Sequence, residues 1–350
     1  MEKVRIGFVG VGAMGQCAHL KSFVTVKDCQ VVAIAELRQE LARKVAARYG
    51  VPKVYKDHAE LLANEALDGI VASQPFSRHG VLVPELYKAG APVMTEKPLA
   101  ASVQVGESLV RALADSGTWH MVGYNKRSDP ATMYAKSEID RLKATGELGR
   151  MRYVRILVAA GDWIAGGFAD LIKTGESVGQ LQTDPPADDM DQPTYKQYTS
   201  FVNYYIHQVN LMRHLLGEPY EVAHAEASGV VMVVRSESGV AGTIEMCPYQ
   251  VSRDWQESAL VAFERGYVKL ELRAPLAWNR AGRVEILRDP GGGATPETMV
   301  PQFPPIGSMR QQAINFVRAI KGEARPPCEA AEALEDLKVA RQYLRLLKGV

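Results

Sequence analysis

No apolar run in the 350 residues reaches the roughly 18 needed to cross a bilayer, so no membrane anchor is expected. The opening "MEKVRIGFVG" enters a strand-like run at once, and no export signal is expected either. Cysteine is scarce: Cys17, Cys29, Cys247 and Cys328 stand apart without CxxC spacing. That excludes a zinc-ribbon pattern and a disulfide framework, and it fits reduced thiols in a cytoplasmic setting. An excess of either charge is missing, with 41 Lys and Arg against 40 Asp and Glu. No basic cluster alternates with aromatic residues, which argues against a nucleic-acid partner. Neither an HxxxH pair nor a cluster of Cys, His and Asp occurs, so no metal is expected. Repeats and low-complexity tracts are also absent.

What remains is the composition of an ordinary globular chain, 47% hydrophobic and 23% charged, long enough for about two domains of roughly 150 residues. The first 120 or so residues alternate apolar runs ("VRIGFVG", "CQVVAIAE", "DGIVAS", "APVMTE", "WHMVGY") with helix-like segments. Strands buried on both faces read as continuous apolar runs, so this is an α/β domain with a doubly wound parallel sheet. "RQELARKVAARYG" has helical spacing and a stop at Gly50. Past "NKRSDP", the segments "MRYVRILVAA", "GVVMVVRS", "GTIEMC" and "YVKLELR" predict an α+β domain with a second, largely antiparallel sheet. Residues 161–198, rich in glycine and carrying the acidic "TDPPADDMD", read as long loops whose acids face water or a neighbouring subunit. Two helices are expected near the C-terminus, separated around Pro326 and Pro327. The expected division is 1–125, the α/β domain; 126–327, the second domain; and 328–350, a helix packing back on the first.

"VRIGFVGVGAMG" places Gly10, Gly12 and Gly15 in a GxGxxG pattern after a strand, with Ala13 and Met14 completing the loop. Gly10 allows a tight turn, Gly12 lets the backbone approach a pyrophosphate, and Gly15 permits close helix packing. The pattern also closes ordinary strand-to-helix turns. Its context is Glu36, at the end of the second strand and about 20 residues on, where a carboxylate accepts hydrogen bonds from the adenosine ribose and repels a 2′-phosphate. NAD is therefore expected, with NADP as the alternative because Arg38 could pair with a phosphate. "VMTEKPLA" ends another strand at the ligand-binding edge of the sheet, and Lys97 there could stabilise alkoxide-like charge. A surface lysine paired with Glu96 is the bland alternative.

"GFVGVGAMG", "ASQPFSRH", "AGAPVMTEKPLA", "VGYNKRSDP", "GELG" and "HQVNLMRHLLGE" stand in an order that resembles the glucose-fructose oxidoreductase and inositol dehydrogenase (Gfo/Idh/MocA) family over nearly the whole chain. The resemblance implies a Rossmann domain, a second domain with a large open sheet, bound NAD or NADP, a homodimer or homotetramer, and oxidation or reduction of a sugar or polyol. By position, Lys97 looks like the family lysine that contacts nicotinamide and the reacting hydroxyl. Ser73, Gln74, Pro75 and Glu96 fall where the cofactor is lined, and His79 matches a histidine best read as structural. Asn125 is assigned to the cofactor and Arg127 to the substrate, although an ion pair at a domain interface would also account for Arg127.

The family's helix pattern DxxxHxxD is matched by Asn203, His207 and Asn210, with both acids replaced by amides. The spacing puts all three on one helix face. His207 is then the candidate general base and Asn203 the group orienting substrate. A core histidine is the alternative on periodicity alone. His214 follows one heptad on, and Tyr204 and Tyr205 read as core or cleft wall. Asp162, Trp163 and Lys173 are candidates for contacts to a polyhydroxylated ring. Two other functions stay open: an NAD-retaining glycosidase or lyase working through transient sugar oxidation, and a non-catalytic sugar or cofactor sensor.

Overall fold

The computed structural model describes residues 2–349. It divides into two compact units, one built from the residues up to 124 with 166–203 and 309–337, the other from 125–165, 204–308 and 338 onward. The expected three-part linear division is therefore corrected: after Tyr124 the chain returns to the first unit twice.

In the first unit six strands, β1 (Val4–Val9), β2 (Cys29–Ala35), β3 (Lys53–Tyr55), β4 (Gly69–Ala72), β5 (Val93–Glu96) and β6 (His120–Gly123), pair in the order β3-β2-β1-β4-β5-β6. Every pair is parallel. The order reverses beside β1, and ligands of such sheets bind at the carboxyl edge of that switch point. The sequence reading lacked β3, because three half-exposed edge residues carry no periodic signal. The crossovers are α1 (Lys21–Phe23, continuing a π-type turn over Gly15–Leu20), α2 (Gln39–Tyr49), α3 (His58–Asn64), α4 (His79–Tyr87) and α5 (Val103–Ala114). Helix α2 buries Leu41, Val45 and Ala46 and stops at Gly50, whose φ of 68° only glycine adopts without strain.

The core of this unit explains one of the returns. Phe8 meets Phe23 edge-on at 5.5 Å, and Phe23 meets Phe316 at 6.0 Å. Trp119 meets the same Phe316 at 5.4 Å. Phe316 lies on α8 (Ser308–Ile320), is fully buried, and burial of one such ring is worth about 1.5–3 kcal/mol.

The second unit carries α6 (Pro130–Thr145) and eight strands: β7 (Met151–Ala160), β8 (Tyr220–Ala225), β9 (Val231–Ser236), β10 (Ala241–Gln250), β11 (Glu257–Phe263), β12 (Gly266–Leu272), β13 (Arg283–Arg288) and β14 (Glu297–Met299). Their order is β14-β13-β12-β11-β7-β10-β9-β8. Only the β7–β10 pair is parallel. Burial alternates strictly along β11, as expected for a sheet covered on one face. Helix α6 supplies a cover: Ala131, Ala135, Ile139 and Leu142 form one buried stripe, and the helix lies against β12 and β13.

Helices α7 (Gln192–Leu216) and α9 (Ala330–Lys348) complete the described elements. The expected loop over 161–198 ends early, because α7 starts at Gln192. Asp191 accepts from the amide of Thr194 at 2.8 Å, and Pro193 sits in the first turn, where its missing N–H costs nothing. Among the described residues, no helix is long and apolar enough to cross a membrane, and no three His, Cys, Asp or Glu converge as metal ligands.

Candidate functional site

The glycine loop sits at the β1/β4 switch point of the first unit. Gly10 has φ of 92°, and a Cβ there would lie 2.2 Å from Gln74 Nε2 and 2.6 Å from Ser73 O. A Cβ on Gly15 would lie 2.6 Å from Gly10 O. Gly12 differs: its nearest neighbour would be an Arg38 nitrogen at 3.8 Å. Two glycines close the loop against itself, and the third leaves space above the backbone. Gly12, Ala13 and Met14 are half-buried, whereas Gly15 is buried at the start of its helix. This cradle fits a dinucleotide pyrophosphate.

Glu36, only 6% exposed, accepts from the amide of Val11 at 3.0 Å and from Arg38 Nε at 2.9 Å. Burial pushes its carboxyl up, but Arg38 and the amides of Val11 and Arg38 outweigh that and hold it below the ordinary range. The sequence left Arg38 available to a phosphate. In the structure its Nη2 also donates to Glu36 at 3.1 Å, so the guanidinium fork is taken by a carboxylate.

Ser73 and Gln74 line the neighbouring turn. Ser73 N donates to Val9 O at 3.0 Å, and Gln74 Nε2 to the same oxygen at 3.3 Å. Pro75 starts the short turn into α4 and is exposed. His79 is fully buried, with Nδ1 3.0 Å from Leu99 O, and burial lowers its pKa. It ties a helix start to the loop after β5.

At the end of β5, Glu96 Oε1 lies 2.7 Å from His19 Nε2. Burial raises the Glu96 carboxyl, while His19 and Lys97 more than offset this and keep it ionised. Lys97 N donates to Glu96 Oε2 at 3.1 Å, and Lys97 Nζ to Asn203 O on α7 at 2.6 Å. The Glu96 carboxylate is thus turned to His19 and to backbone, and the Lys97 ammonium to a helix carbonyl. His207 follows Asn203 by four residues, one turn along α7. The Asn203 residue itself is exposed.

In the second unit the family-like "NKRS" forms a buried 3-10 turn, Asn125–Ser128. Arg127, 4% exposed, donates from Nε to Asn210 Oδ1 at 2.6 Å. Assigned to the substrate by position, its guanidinium in this structure fixes the Asn210 amide. Asn125, 1% exposed, donates from Nδ2 to Ser308 Oγ at 2.8 Å, and its Oδ1 has no hydrogen-bond partner among the described residues. Asp162 Oδ1 caps the local turn through the amides of Ile164 (3.1 Å) and Ala165 (3.0 Å). Trp163 is half-buried beside it, and its carbonyl accepts from Leu276 N at 3.2 Å. Lys173 belongs to the other unit and is exposed. His214 is half-buried, and desolvation aided by Arg127 and Lys136 drives its pKa well below the usual value. Tyr204 and Tyr205 meet edge-on at 4.8 Å.

Sequence reasoning missed a polar cluster next to His207. Lys126 pairs with Glu257, and both side chains are almost fully buried. Gln208 Nε2 donates to Glu257 at 2.6 Å, Trp255 Nε1 at 2.9 Å, and Lys126 Nζ lies 5.2 Å from the Trp255 ring centre. A lone Glu at the start of a strand gives no sequence signal for such a role. His19 and Gln16 were missed for the same reason: their partners are far away in the chain.

The acidic segment is solvated as expected at Asp188, Asp189 and Asp191, which are exposed, but not at Asp184. Asp184, 9% exposed, accepts from Gly80 N at 3.0 Å at the start of α4. Asp188 and Asp189 accept from Gln104 Nε2, in the first turn of α5, at 2.8 and 3.1 Å. Asp191 caps α7. Acids taken for a solvated run are distributed over three helix starts, where partial positive charge favours them.

Comparison with known proteins agrees with this geometry. Residues 4–124 match a family described as an oxidoreductase family with an NAD-binding Rossmann fold, GFO_IDH_MocA. The scyllo-inositol 2-dehydrogenase (NAD(+)) of Bacillus subtilis is 25% identical over 261 residues, 70% of this chain and 67% of that one. The Myo-inositol 2-dehydrogenase of Thermotoga maritima is 24% identical over 69% of this chain and 63% of its own length. Among solved structures, an NAD binding oxidoreductase from Klebsiella pneumoniae superimposes with a TM-score of 0.75 at 18% identity, covering 99% of this chain and 97% of that one. An aldose-aldose oxidoreductase from Caulobacter crescentus superimposes with a TM-score of 0.70 at 18% identity, covering 99% and 98%. The glycine cradle, the buried Glu36 and the EKP turn all fall within residues 4–124, the part of the chain that matches the GFO_IDH_MocA family of NAD-binding oxidoreductases.

Proposed function

We propose that this oxidoreductase transfers a hydride between nicotinamide and a secondary hydroxyl or keto carbon of a polyol or sugar, with Lys97 and His207 as its acid–base groups. The observation that carries the reading is the Lys97 ammonium, fixed at the carboxyl edge of β5 and bonded to α7 one turn before His207. Two named inositol dehydrogenases among the relatives support a cyclic polyol. Bound NAD supplies the hydride acceptor, and the Gly10–Gly15 loop with Glu36 would hold it.

Lys97 stabilises negative charge as it develops on the substrate oxygen. A neutral His207 takes the hydroxyl proton in oxidation and returns it in reduction. Asn203, exposed on the same helix face, offers both a donor and an acceptor to a neighbouring hydroxyl. Arg127 holds Asn210 and with it the far side of that face.

The test is a screen of inositols, aldoses and glycosides with NAD⁺, following NADH absorbance. At least one polyol or sugar should give turnover, and Lys97→Ala should lower it by about three orders of magnitude. Full turnover in that variant sinks the acid–base assignment. The absence of both acids from the helix face favours one further reading, NAD-retaining glycoside cleavage. It predicts release of an aglycone with no net NADH.

A further inference from the structure

The stretch 166–191 has no strand and no long helix, yet it is fastened at several points to the first unit. Gln16 Nε2 donates to Ile172 O at 3.1 Å, and Ile172 N donates back to Gln16 Oε1 at 2.9 Å. The same Gln16 Nε2 reaches Val11 O in the glycine loop at 3.1 Å. Asp170 pairs with Lys21 at 3.3 Å, and its carbonyl accepts from Arg48. Between these anchors and Asp184, which accepts from Gly80 N of α4, lies Glu176.

Glu176 receives the first free amides of α2. Its Oε1 accepts from Glu40 N and its Oε2 from Leu41 N, both at 2.9 Å, and Thr174 Oγ1 steadies it at 3.1 Å. Helix α2 begins three residues after Glu36, the carboxylate placed for the adenosine ribose. A phosphate on that ribose would need the Arg38 fork and the α2 amides, the donors that helix starts and arginines offer to anions. In this structure both sets already face carboxylates: Arg38 faces Glu36, and the amides face Glu176.

We propose that Glu176 is a specificity-determining residue that selects NAD over NADP, because its carboxylate fills the anion position at the start of α2 where a ribose 2′-phosphate would bind. With Glu36 on the guanidinium and Glu176 on the amides, a phosphate dianion would add like charge to a position that is already negative. The proposal rests on the reading of this unit as a dinucleotide site. It adds a residue that lies 140 positions beyond Glu36 in sequence and outside the βαβ motif.

The experiment measures binding without turnover, titrating the full-length protein with NADH and NADPH and following nicotinamide fluorescence. The wild type should bind NADH about a hundredfold or more tighter than NADPH. Glu176→Gln should tighten NADPH about tenfold and leave NADH within about threefold. Glu176→Ala removes the charge without leaving an amide in its place and should move the ratio the same way. Thr174→Ala, which loosens the segment but keeps the charge, should leave the ratio unchanged. Equal affinities in the wild type overturn the proposal, as do parallel changes for both dinucleotides or an unchanged ratio in both Glu176 variants. Binding of neither dinucleotide by the wild type would instead overturn the dinucleotide reading on which the proposal rests.

Discussion

The glycine loop and helix α7 both carry chemistry, but they were built in different ways. In the loop, what matters is backbone: Gly10 turns, Gly15 packs against Gly10 O, and Gly12 leaves room. The positive φ of Gly10 and the approach of Gly10 O to Gly15 are local demands, although Ser73 and Gln74, in the turn after β4, also crowd Gly10. On α7 the polar side chains are matched with groups far off in the sequence, Asn210 with Arg127, 83 residues away, and Gln208 with Glu257, 49 residues away. A loop of the first kind announces itself by residue type and spacing. A helix of the second kind shows only which side chains share a face.

The largest break in this comparison is expected on the helix. His207→Ala should cost at least about a hundredfold in turnover while NADH affinity holds, since a positioned general base contributes about 10²–10⁴. Loss of NADH binding instead would assign His207 to the cofactor. Next comes the buried cluster: Glu257→Ala leaves Lys126 without its buried carboxylate partner and should cost about 3–5 kcal/mol in chemical denaturation.

The glycines sharpen the contrast within the loop. Gly10→Ala forces a Cβ onto φ of 92° and against Gln74, and should lose about 1–3 kcal/mol of stability. Gly12→Ala meets nothing closer than 3.8 Å, so it should fold like the wild type. It should nevertheless weaken NADH binding about tenfold, because the added methyl occupies the space above the loop. A Gly12 variant with unchanged NADH affinity would remove the pyrophosphate from this loop.

Acidification separates histidines from carboxylates. His120 sits between Tyr87 Oη at 2.7 Å and Thr95 Oγ1 at 2.8 Å, and burial pushes its pKa down to about 3. A histidine with a depressed folded pKa gives stability that is full above its unfolded value near 6.5 and is lost as pH falls below it. Each such histidine contributes a slope of up to about 1.4 kcal/mol per pH unit. Glu36 and Glu96, also depressed, give stability present above their ordinary value of 4.5 and lost as pH falls through their folded values. Urea midpoints should therefore begin to fall between pH 6.5 and 5, before the carboxylates titrate, and less steeply in His120→Gln. The smallest effect is expected for Asn210→Asp, which restores the family's acid opposite Arg127 and should shift stability by no more than about 1 kcal/mol.

Much of the first unit was legible in the sequence because its strands are continuous apolar runs and helix α2 stops at a glycine, Gly50. β3 and the start of α7 were not. The first is three edge residues, and the second hangs on Asp191, which the sequence presented as one of a run of solvated acids. The candidate site was legible where a residue type is demanded by backbone geometry or by position at a strand end, as with Gly10, Glu36 and Lys97. It was not legible where a role comes from a partner. The positions of Arg127 and Asn125 in a family-like segment gave no hint of their buried contacts to Asn210 and Ser308.

By itself the sequence determined the parallel sheet, the nucleotide loop, the acid at the end of β2 and the lysine at the end of β5. These follow from short-range sterics, hydrophobic periodicity and the fixed chemistry of a strand-to-helix turn. Tertiary structure alone decided that Glu176 would reach the α2 amides, that Phe316 would close the core around Phe23, and that Glu257 would hold Lys126 beside α7. Each joins residues scores of positions apart, and a charge or a ring acquires such a role only when folding brings its partner within a few ångströms.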